Sequence, residues 1–368
     1  MILKKIDILN YKNIASAALE FSEGVNCLLG MNGMGKSNLL DAIHLLSMAR
    51  PMNSMPDNAL LKHGEDMLLV KGVYLTDAGG EDIISCGIAR GKRKSLKRNG
   101  KEYQKLSEHI GRYPVVISTP EDSRIVSGGG EERRKLMDMV ISQAYPSYLS
   151  ALIRYNRSLE SRNKMLRAGV KDSLLYESIE ASMSESAAII HSTRNGWTRA
   201  MAPLVEETYA RIAGNREKTE INYRSQLTGT DLKTLLDDRR SKDHILGFTS
   251  AGVHRDDIEA LLDGYSLKSL GSQGQLKTFA VALRLAIFAY LKKEKGVTPL
   301  LLLDDIFDKL DADRVRNIMN EVSSSDNFGQ IFITDTNRKH LDDILSEIKG
   351  SRSLINVENG GFNPIILN

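Results

Sequence analysis

Gly30-Met31-Asn32-Gly33-Met34-Gly35-Lys36-Ser37 matches the pattern GxxxxGK[ST] at every fixed position. It lies between a β-type run, 24–29, and a stretch with Leu39, Leu40, Ile43 and Leu46 on one helical face, which ends before Arg50-Pro51. A strand feeding a glycine-rich turn that opens a helix is the setting this motif needs, and a chance glycine-rich turn would not bring both flanks with it. The glycines let backbone N–H groups wrap phosphates, and the helix N-terminus adds partial positive charge. All eight residues are therefore expected to bind ATP. Lys36 should reach the β- and γ-phosphates, and the Ser37 hydroxyl should ligate Mg²⁺.

The second element is Pro299-Leu-Leu-Leu-Leu303-Asp304-Asp305, which reads as a buried parallel strand ending in carboxylates. Alone it would be an ordinary buried strand with a polar end. Beside a P-loop, Asp304 is expected to hold the Mg²⁺ shell and Asp305 to polarise the attacking water. The third element is Ser272-Gln273-Gly274-Gln275, opening the helix that continues through Leu276 to Leu283. Ser followed three residues later by Gln is a capping box, so a plain helix start is the simpler reading. Between a P-loop and an Asp-Asp strand, S-x-G-Q is also the ABC signature pattern. There the Ser hydroxyl, the Gly amide and the helix dipole face the γ-phosphate of a nucleotide held by another subunit. Asp308-Lys-Leu-Asp311 follows where a D-loop belongs, with Asp311 as its acid. The four in this order predict an ABC-type ATP site completed only when two copies meet head to head. After the strand-like run 330–334 no switch histidine is evident. Thr334 or Thr336 is left for that role, and no Q-loop glutamine is assigned.

The rest of the chain predicts an α/β fold: an ABC/SMC-type P-loop ATPase head with an inserted, mostly helical lobe. Residues 2–9, 17–21, 67–75, 82–90 and the run from Val115 read as strands. From Gly128 to about Asp243 the sequence turns rich in Leu, Ala, Glu, Arg and Ser, with Tyr148, Leu152, Tyr155 and Leu159 at helical spacing. The expected division is 1–130 for the N-terminal part of the head, 131–244 for the lobe, and 245–368 for the C-terminal part. Fifty basic against 47 acidic residues leave a net charge of +3. That balance indicates no nucleic-acid or membrane partner by itself, so the case must come from local charge. Two cysteines, Cys27 and Cys86, outside any CxxC pattern suggest neither a zinc site nor a disulfide framework. The start lacks a signal-peptide core, and no apolar run approaches the ~20 residues of a membrane span. A soluble cytoplasmic protein is expected.

Local charge is concentrated at 90–101, where seven basic residues and no acidic one surround the hairpin signal Asn99-Gly100. Lys92, Arg93, Lys94, Lys97 and Arg98 are the expected DNA contacts, to phosphates rather than bases. The bland alternative is an edge strand kept soluble by lysines. Arg133, Arg134, Arg154, Arg157, Arg162 and Lys164 are weaker candidates of the same kind. His254 with Arg255 reads as a structural or nucleotide-edge element rather than a metal ligand.

The chain resembles the RecF family of recombination mediators, related to the SMC and ABC ATPases, along nearly its whole length. The opening Asn10-Tyr-Lys-Asn-Ile is similar to that family's N-Y/F-R-N. Thr119-Pro-Glu-Asp, Glu132-Arg-Arg134 and Leu159-Glu-Ser-Arg162-Asn163 resemble its PED, RR and RN succession. Gly252-Val-His-Arg-Asp-Asp257 and Ser272-Gln-Gly-Gln-Leu-Lys resemble its G-P-H-R-D-D and SQGQ runs. Val253 departs from the usual Pro, and Asp308-Lys from the usual Ser-Glu. The resemblance implies an ATP-dependent homodimer with weak, DNA-stimulated ATPase activity. It also implies binding to single-stranded DNA and single-/double-stranded junctions, RecR and RecO as partners, and help in loading RecA at gaps. The competing readings are a membrane transporter's nucleotide-binding subunit and a small-molecule kinase. The first does not explain a hundred-residue helical insertion, and the second has no use for Ser272-Gln273-Gly274-Gln275.

Overall fold

A computed structural model describes residues 1–53, 55–214, 217–307, 312–323, 328–347 and 350–366. The chain forms two compact units. Met1–Asp122, Arg211–Gly214 and Lys277–Asn368 make up the first, and Ser123–Ala210 with Asn215–Leu276 the second.

Two six-stranded sheets build the first unit. One is antiparallel, running from Ile14–Glu20 through Ile2–Tyr11, Met67–Leu75, Glu81–Ala89 and Ser95–Arg98 to Lys101–Glu102. Its central strands alternate buried and accessible residues, as a sheet with one covered face must. The other has the order Gly361–Ile365, Arg352–Glu358, Val25–Leu29, Ile331–Asp335, Leu300–Asp304, Val115–Ser118, and all its pairings but the first are parallel. Every residue of the last three strands is buried, which is why they read as unbroken apolar runs. Gln330 ties the sheets together: its amide donates to the Leu3 and Ser22 carbonyls at 2.8 Å, and its Oε1 accepts from the Leu3 N–H at 2.7 Å.

The helix Lys36–Met48 touches strands of both sheets, and all its residues except Ser37 and Asn38 are buried. One apolar face was expected; sandwiching between two sheets buries the other as well. Leu39, Leu40, Ile43 and Leu46 are fully buried, each worth about 1.5–3 kcal/mol over exposure. The polar Asp41 is satisfied by the Tyr11 hydroxyl at 2.8 Å, the Met52 N–H at 2.7 Å and Lys12.

Against expectation, Gln273–Lys295 is long and apolar enough to cross a membrane, but 72% of its apolar window is buried inside the protein. Arg284 in its middle donates to both Asp122 oxygens at 2.7 and 2.8 Å. A core helix explains both the composition and the satisfied charge.

The second unit contains the helices Gly130–Ala144, Pro146–Arg167, most of Ser173–Ala213, and Leu232–Leu246. It reaches beyond 131–244 on both sides and is not purely helical. Thr219–Arg224, Asp257–Leu262 and Tyr265–Ser266 form a three-stranded antiparallel sheet, which ties 257–266 to the lobe. Buried ion pairs fasten this unit. Arg162, fully buried, meets Glu180 at 2.8 Å and Asp243 at 2.7 Å. Arg194 meets Asp256 and Asp138, both at 2.8 Å. Arg133 makes a fork onto Asp257 at 2.6 and 2.9 Å, and Arg134 donates to the Asp256 carbonyl at 2.7 Å. Arg133, Arg134 and Arg162 are thus fastenings rather than the surface cations they were expected to be, and Lys164 pairs with Glu160 one helical turn away. Arg154 and Arg157 remain exposed. His254 sits between the Tyr155 hydroxyl at 2.7 Å and the Thr249 carbonyl at 3.0 Å, and burial lowers its pKa to about 4. That neutral, doubly bonded ring agrees with a structural role.

Candidate active site

The turn after Val25–Leu29 is shaped by its glycines. Gly33 and Gly35 have φ of 81° and 116°, which L side chains rarely adopt. A Cβ on Gly30 would lie 2.3 Å from the Val357 carbonyl oxygen. Lys36 is 3% exposed, and its Nζ donates to the Gly30 carbonyl at 2.7 Å and the Met31 carbonyl at 3.3 Å. The exposed tip is Met31-Asn32-Gly33, with Met34 half-buried behind it. Asn13 braces the loop from the first turn of the chain, donating to the Gly33 carbonyl at 3.2 Å and accepting from Asn38 at 2.8 Å. Its motif is visible in the sequence, but not this bracing role.

Parallel pairing sets Asp304 opposite Thr334, and Asp335 opposite Leu29 beside the loop. A hydrogen-bonded relay results. The Ser37 and Thr334 hydroxyls donate to Asp304 Oδ1 at 2.9 and 2.7 Å, and the Asp305 N–H donates to Thr334 Oγ1 at 3.0 Å. Burial raises the Asp304 pKa, opposed by the Thr334 and Ser37 hydrogen bonds and the Lys36 charge. Asp305 is half-buried with φ 44°, a left-handed conformation costing a non-glycine residue about 1–3 kcal/mol. Of the two threonines offered for the switch role, Thr334 is the one built into this relay. A cavity of about 470 Å³ opens at these strand ends, with Asn32, Asp305, Thr336 and His340 among its lining residues. His340 does not stand out in the sequence, because a switch histidine is expected directly after the strand and this ring arrives one helical turn later.

Ser272 to Gln275 lie in the second unit. The capping box forms in full: Gln275 N–H donates to Ser272 Oγ at 3.2 Å, and Gln275 Oε1 accepts from the Ser272 N–H at 2.8 Å. Ser272 and Gln273 are exposed and Gly274 half-buried, while Gln275 is also tied to Glu217 at 2.5 Å. Asp308 to Asp311 lie outside the described residues.

In the basic hairpin, Asn99 and Gly100 have φ of 51° and 78°, the pair of positive values a type I′ turn requires. Two of the five expected DNA-binding residues already have acidic partners. Arg98 forks onto Asp82 at 3.0 and 3.1 Å, and Lys94 lies 2.7 Å from Asp57 with only 11% of its side chain exposed. Lys92, Arg93 and Lys97 are exposed, as is Lys101.

A P-loop, a hydroxyl–carboxylate relay from the neighbouring strands and a capped S-x-G-Q helix define an ABC/SMC-type P-loop ATPase. Residues 1–71 match the AAA ATPase domain family. The DNA replication and repair protein RecF of Porphyromonas gingivalis is 46% identical over 98% of this chain and 99% of its own. RecF of Parabacteroides distasonis is 46% identical over 99% and 100%. The solved structure of the recombination mediator protein RecF with ATP, in the RecFOR pathway, superposes with a TM-score of 0.89 at 31% identity, covering 99% of this chain and 98% of that one. The Smc head domain of Pyrococcus furiosus shares the fold alone, with a TM-score of 0.59 at 17% identity over 100% and 96%. The chain belongs to the RecF family of DNA replication and repair proteins. Nothing in these likenesses supports a transporter subunit.

Proposed function

We propose that this protein is an ATP-operated DNA-repair switch, acting in the cytoplasm with RecO and RecR partners at single-/double-stranded junctions and helping to load RecA. ATP closes two copies head to head, each nucleotide gripped by one copy's P-loop and the other's Ser272 helix. DNA stimulates a slow hydrolysis that releases them. The relay Ser37–Asp304–Thr334–Asp305 carries the hydrolytic part of this reading, because it joins a hydroxyl and a carboxylate to the Asp305 backbone beside the loop.

Lys36 exchanges its two loop carbonyls for β- and γ-phosphate oxygens. Ser37 and Asp304 offer a hydroxyl and a carboxylate side by side, the hard oxygen donors that suit Mg²⁺; bound there, the ion would neutralise phosphate charge. Thr334 keeps Asp304 and the Asp305 backbone in place, and Asp305, on the cavity wall, accepts a proton from the attacking water. Asp305→Asn is expected to leave ATP affinity unchanged and to slow hydrolysis by about 10²–10⁴-fold, measured as phosphate release beside a calorimetric Kd. Hydrolysis at the normal rate would remove Asp305 from the role.

The hairpin binds phosphates through Lys92, Arg93 and Lys97, while Lys94 and Arg98 hold its shape. Replacing the first three with Ser should weaken duplex binding alike across sequences. It should also flatten log Kd against log salt by about 0.9 for each DNA phosphate no longer neutralised. Arg98→Ser should instead lower the melting temperature, because the buried Asp82 keeps its Asn99 and Tyr113 hydrogen bonds but loses its cationic partner. An unchanged salt slope in the triple variant returns the hairpin to a lysine-protected edge.

A further inference from the structure

The glutamine that completes the Ser272 capping box is held by a second group, 58 residues away in sequence, to which the roles above give no part. Gln275 Nε2 donates to Glu217 Oε1 at 2.5 Å, and the other Glu217 oxygen accepts from the Tyr209 hydroxyl at 2.6 Å. Tyr209 belongs to the helix Ser173–Ala213 and is fully buried, so the carboxylate leans on a fixed neighbour. The backbone beside it is fixed as well. The Asp263 N–H donates to the Lys218 carbonyl, and the Lys218 N–H to Asp263 Oδ1, both at 2.8 Å. All of these groups lie in the second unit.

A carboxylate only accepts and a backbone N–H only donates. Both neighbours of the Gln275 amide therefore demand one orientation, with Nε2 toward Glu217 and Oε1 toward the Ser272 N–H. Ser272 Oγ in turn accepts the Gln275 N–H at 3.2 Å. That engages the hydroxyl oxygen from the helix side and leaves its hydrogen to donate outward, as a phosphate oxygen requires. Ordering a glutamine side chain costs rotamer freedom about equal to what one neutral hydrogen bond returns. The bond to the carboxylate is charge-assisted and about twice as strong, so it decides whether Gln275 stays on the cap.

We propose that Glu217 is a positioning residue for the Ser272 helix: through Gln275 it holds the Ser272 hydroxyl ready for a second copy's γ-phosphate. This rests on the reading of Ser272 as the group that closes a partner's nucleotide site. Glu217 touches neither ATP nor the partner here. Its loss acts on dimer closure and turnover, and leaves the P-loop alone.

The test uses the full chain and measures the monomer's ATP Kd, the ATP-driven dimer Kd by light scattering, and phosphate release. Glu217→Ala should keep the monomer's ATP Kd and weaken the ATP-driven dimer by about 10-fold, the scale of one charge-assisted hydrogen bond. Phosphate release should fall at low protein concentration and recover as the concentration rises. Glu217→Gln should regain part of the loss, because its oxygen still accepts from Gln275 without the charge. Glu217→Met, which keeps the bulk and removes the acceptor, serves if the alanine variant fails to fold. Because Glu217 acts through Gln275, Glu217→Ala should cost nothing further in a Gln275→Ala background. A wild-type dimer Kd in the alanine or methionine variant overturns the proposal, as do a weakened monomer ATP Kd and costs that add in the double variant. Ser272→Arg separates the two readings. If it blocks ATP-driven dimers while the Glu217 variants behave as the wild type, the Glu217 proposal alone fails. If Ser272→Arg still dimerises with ATP, the facing-helix reading fails and takes Glu217 with it.

Discussion

Replacing Lys36 with Ala is expected to weaken ATP binding by about 10- to 150-fold and to abolish hydrolysis. A hydrogen bond to a charged partner contributes about 1.5–3 kcal/mol, which converts to that range of Kd, and Lys36 is the only basic residue in the loop. The fold should survive. The two carbonyls that Lys36 now satisfies belong to Gly30 and to Met31, which is 71% exposed, so water can take the amine's place there. Thermal melts offer a check that separates ligand from fold. Without ATP the variant should melt close to the wild type. ATP at one hundred times the wild-type Kd should stabilise the wild type by about 2.7 kcal/mol and the variant by far less. A variant with wild-type ATP affinity by calorimetry would show that the loop does not grip phosphates through this lysine.

What is legible in the sequence divides from what is not along a physical line. The P-loop, the Leu300–Asp304 strand and the Asn99-Gly100 turn are local: their residue types, spacing and flanks carry the whole signal. The buried cations are not local. Arg162 finds Asp243 81 residues away, and Arg133 finds Asp257 124 residues away, so each looks like a solvated charge on a polar helix. Arg98 and Lys94 mislead in the same way within the basic hairpin, because Asp82 and Asp57 lie on preceding segments. Strands after Gly247 are legible, but the strand Thr219–Arg224 and its pairing with Asp257–Leu262 inside the second unit are not, because the segments have two to six residues and come from either side of the helix Leu232–Leu246. Thr334 is legible as a residue at a strand end. Its bond to Asp304 depends on the register between two parallel strands, which neither strand's sequence specifies alone.

Ser272→Arg is expected to abolish ATP-driven dimerisation and hydrolysis while leaving the monomer's ATP Kd within about two-fold, since changes at a remote, independent site shift binding by tenths of a kcal/mol. In this reading Lys36, Ser37 and Asp304 grip one side of the nucleotide and the exposed Ser272 of a second copy closes the other. ATP and the partner are then thermodynamically linked. Whatever factor ATP adds to dimer affinity, the dimer adds to ATP affinity, typically about 5–150-fold. Arginine at 272 fills the face where the γ-phosphate would sit, so the coupling disappears while the P-loop stays intact. Because Ser272 also accepts the Gln275 N–H, losing the cap weakens the helix start by about 1 kcal/mol. Ser272→Ala, which loses the cap without adding bulk, controls for that. Mixing Ser272→Arg with Lys36→Ala gives the sharper result. Each variant alone should be inactive. A heterodimer recovers one site with both an intact loop and an intact facing helix, so mixing in equal amounts restores at most about half of the wild-type sites, one per heterodimer. Recovery of activity in the mixture places the two halves of the site on different copies. ATP-driven dimers of Ser272→Arg alone, seen by light scattering, would show that this helix does not face a partner's nucleotide.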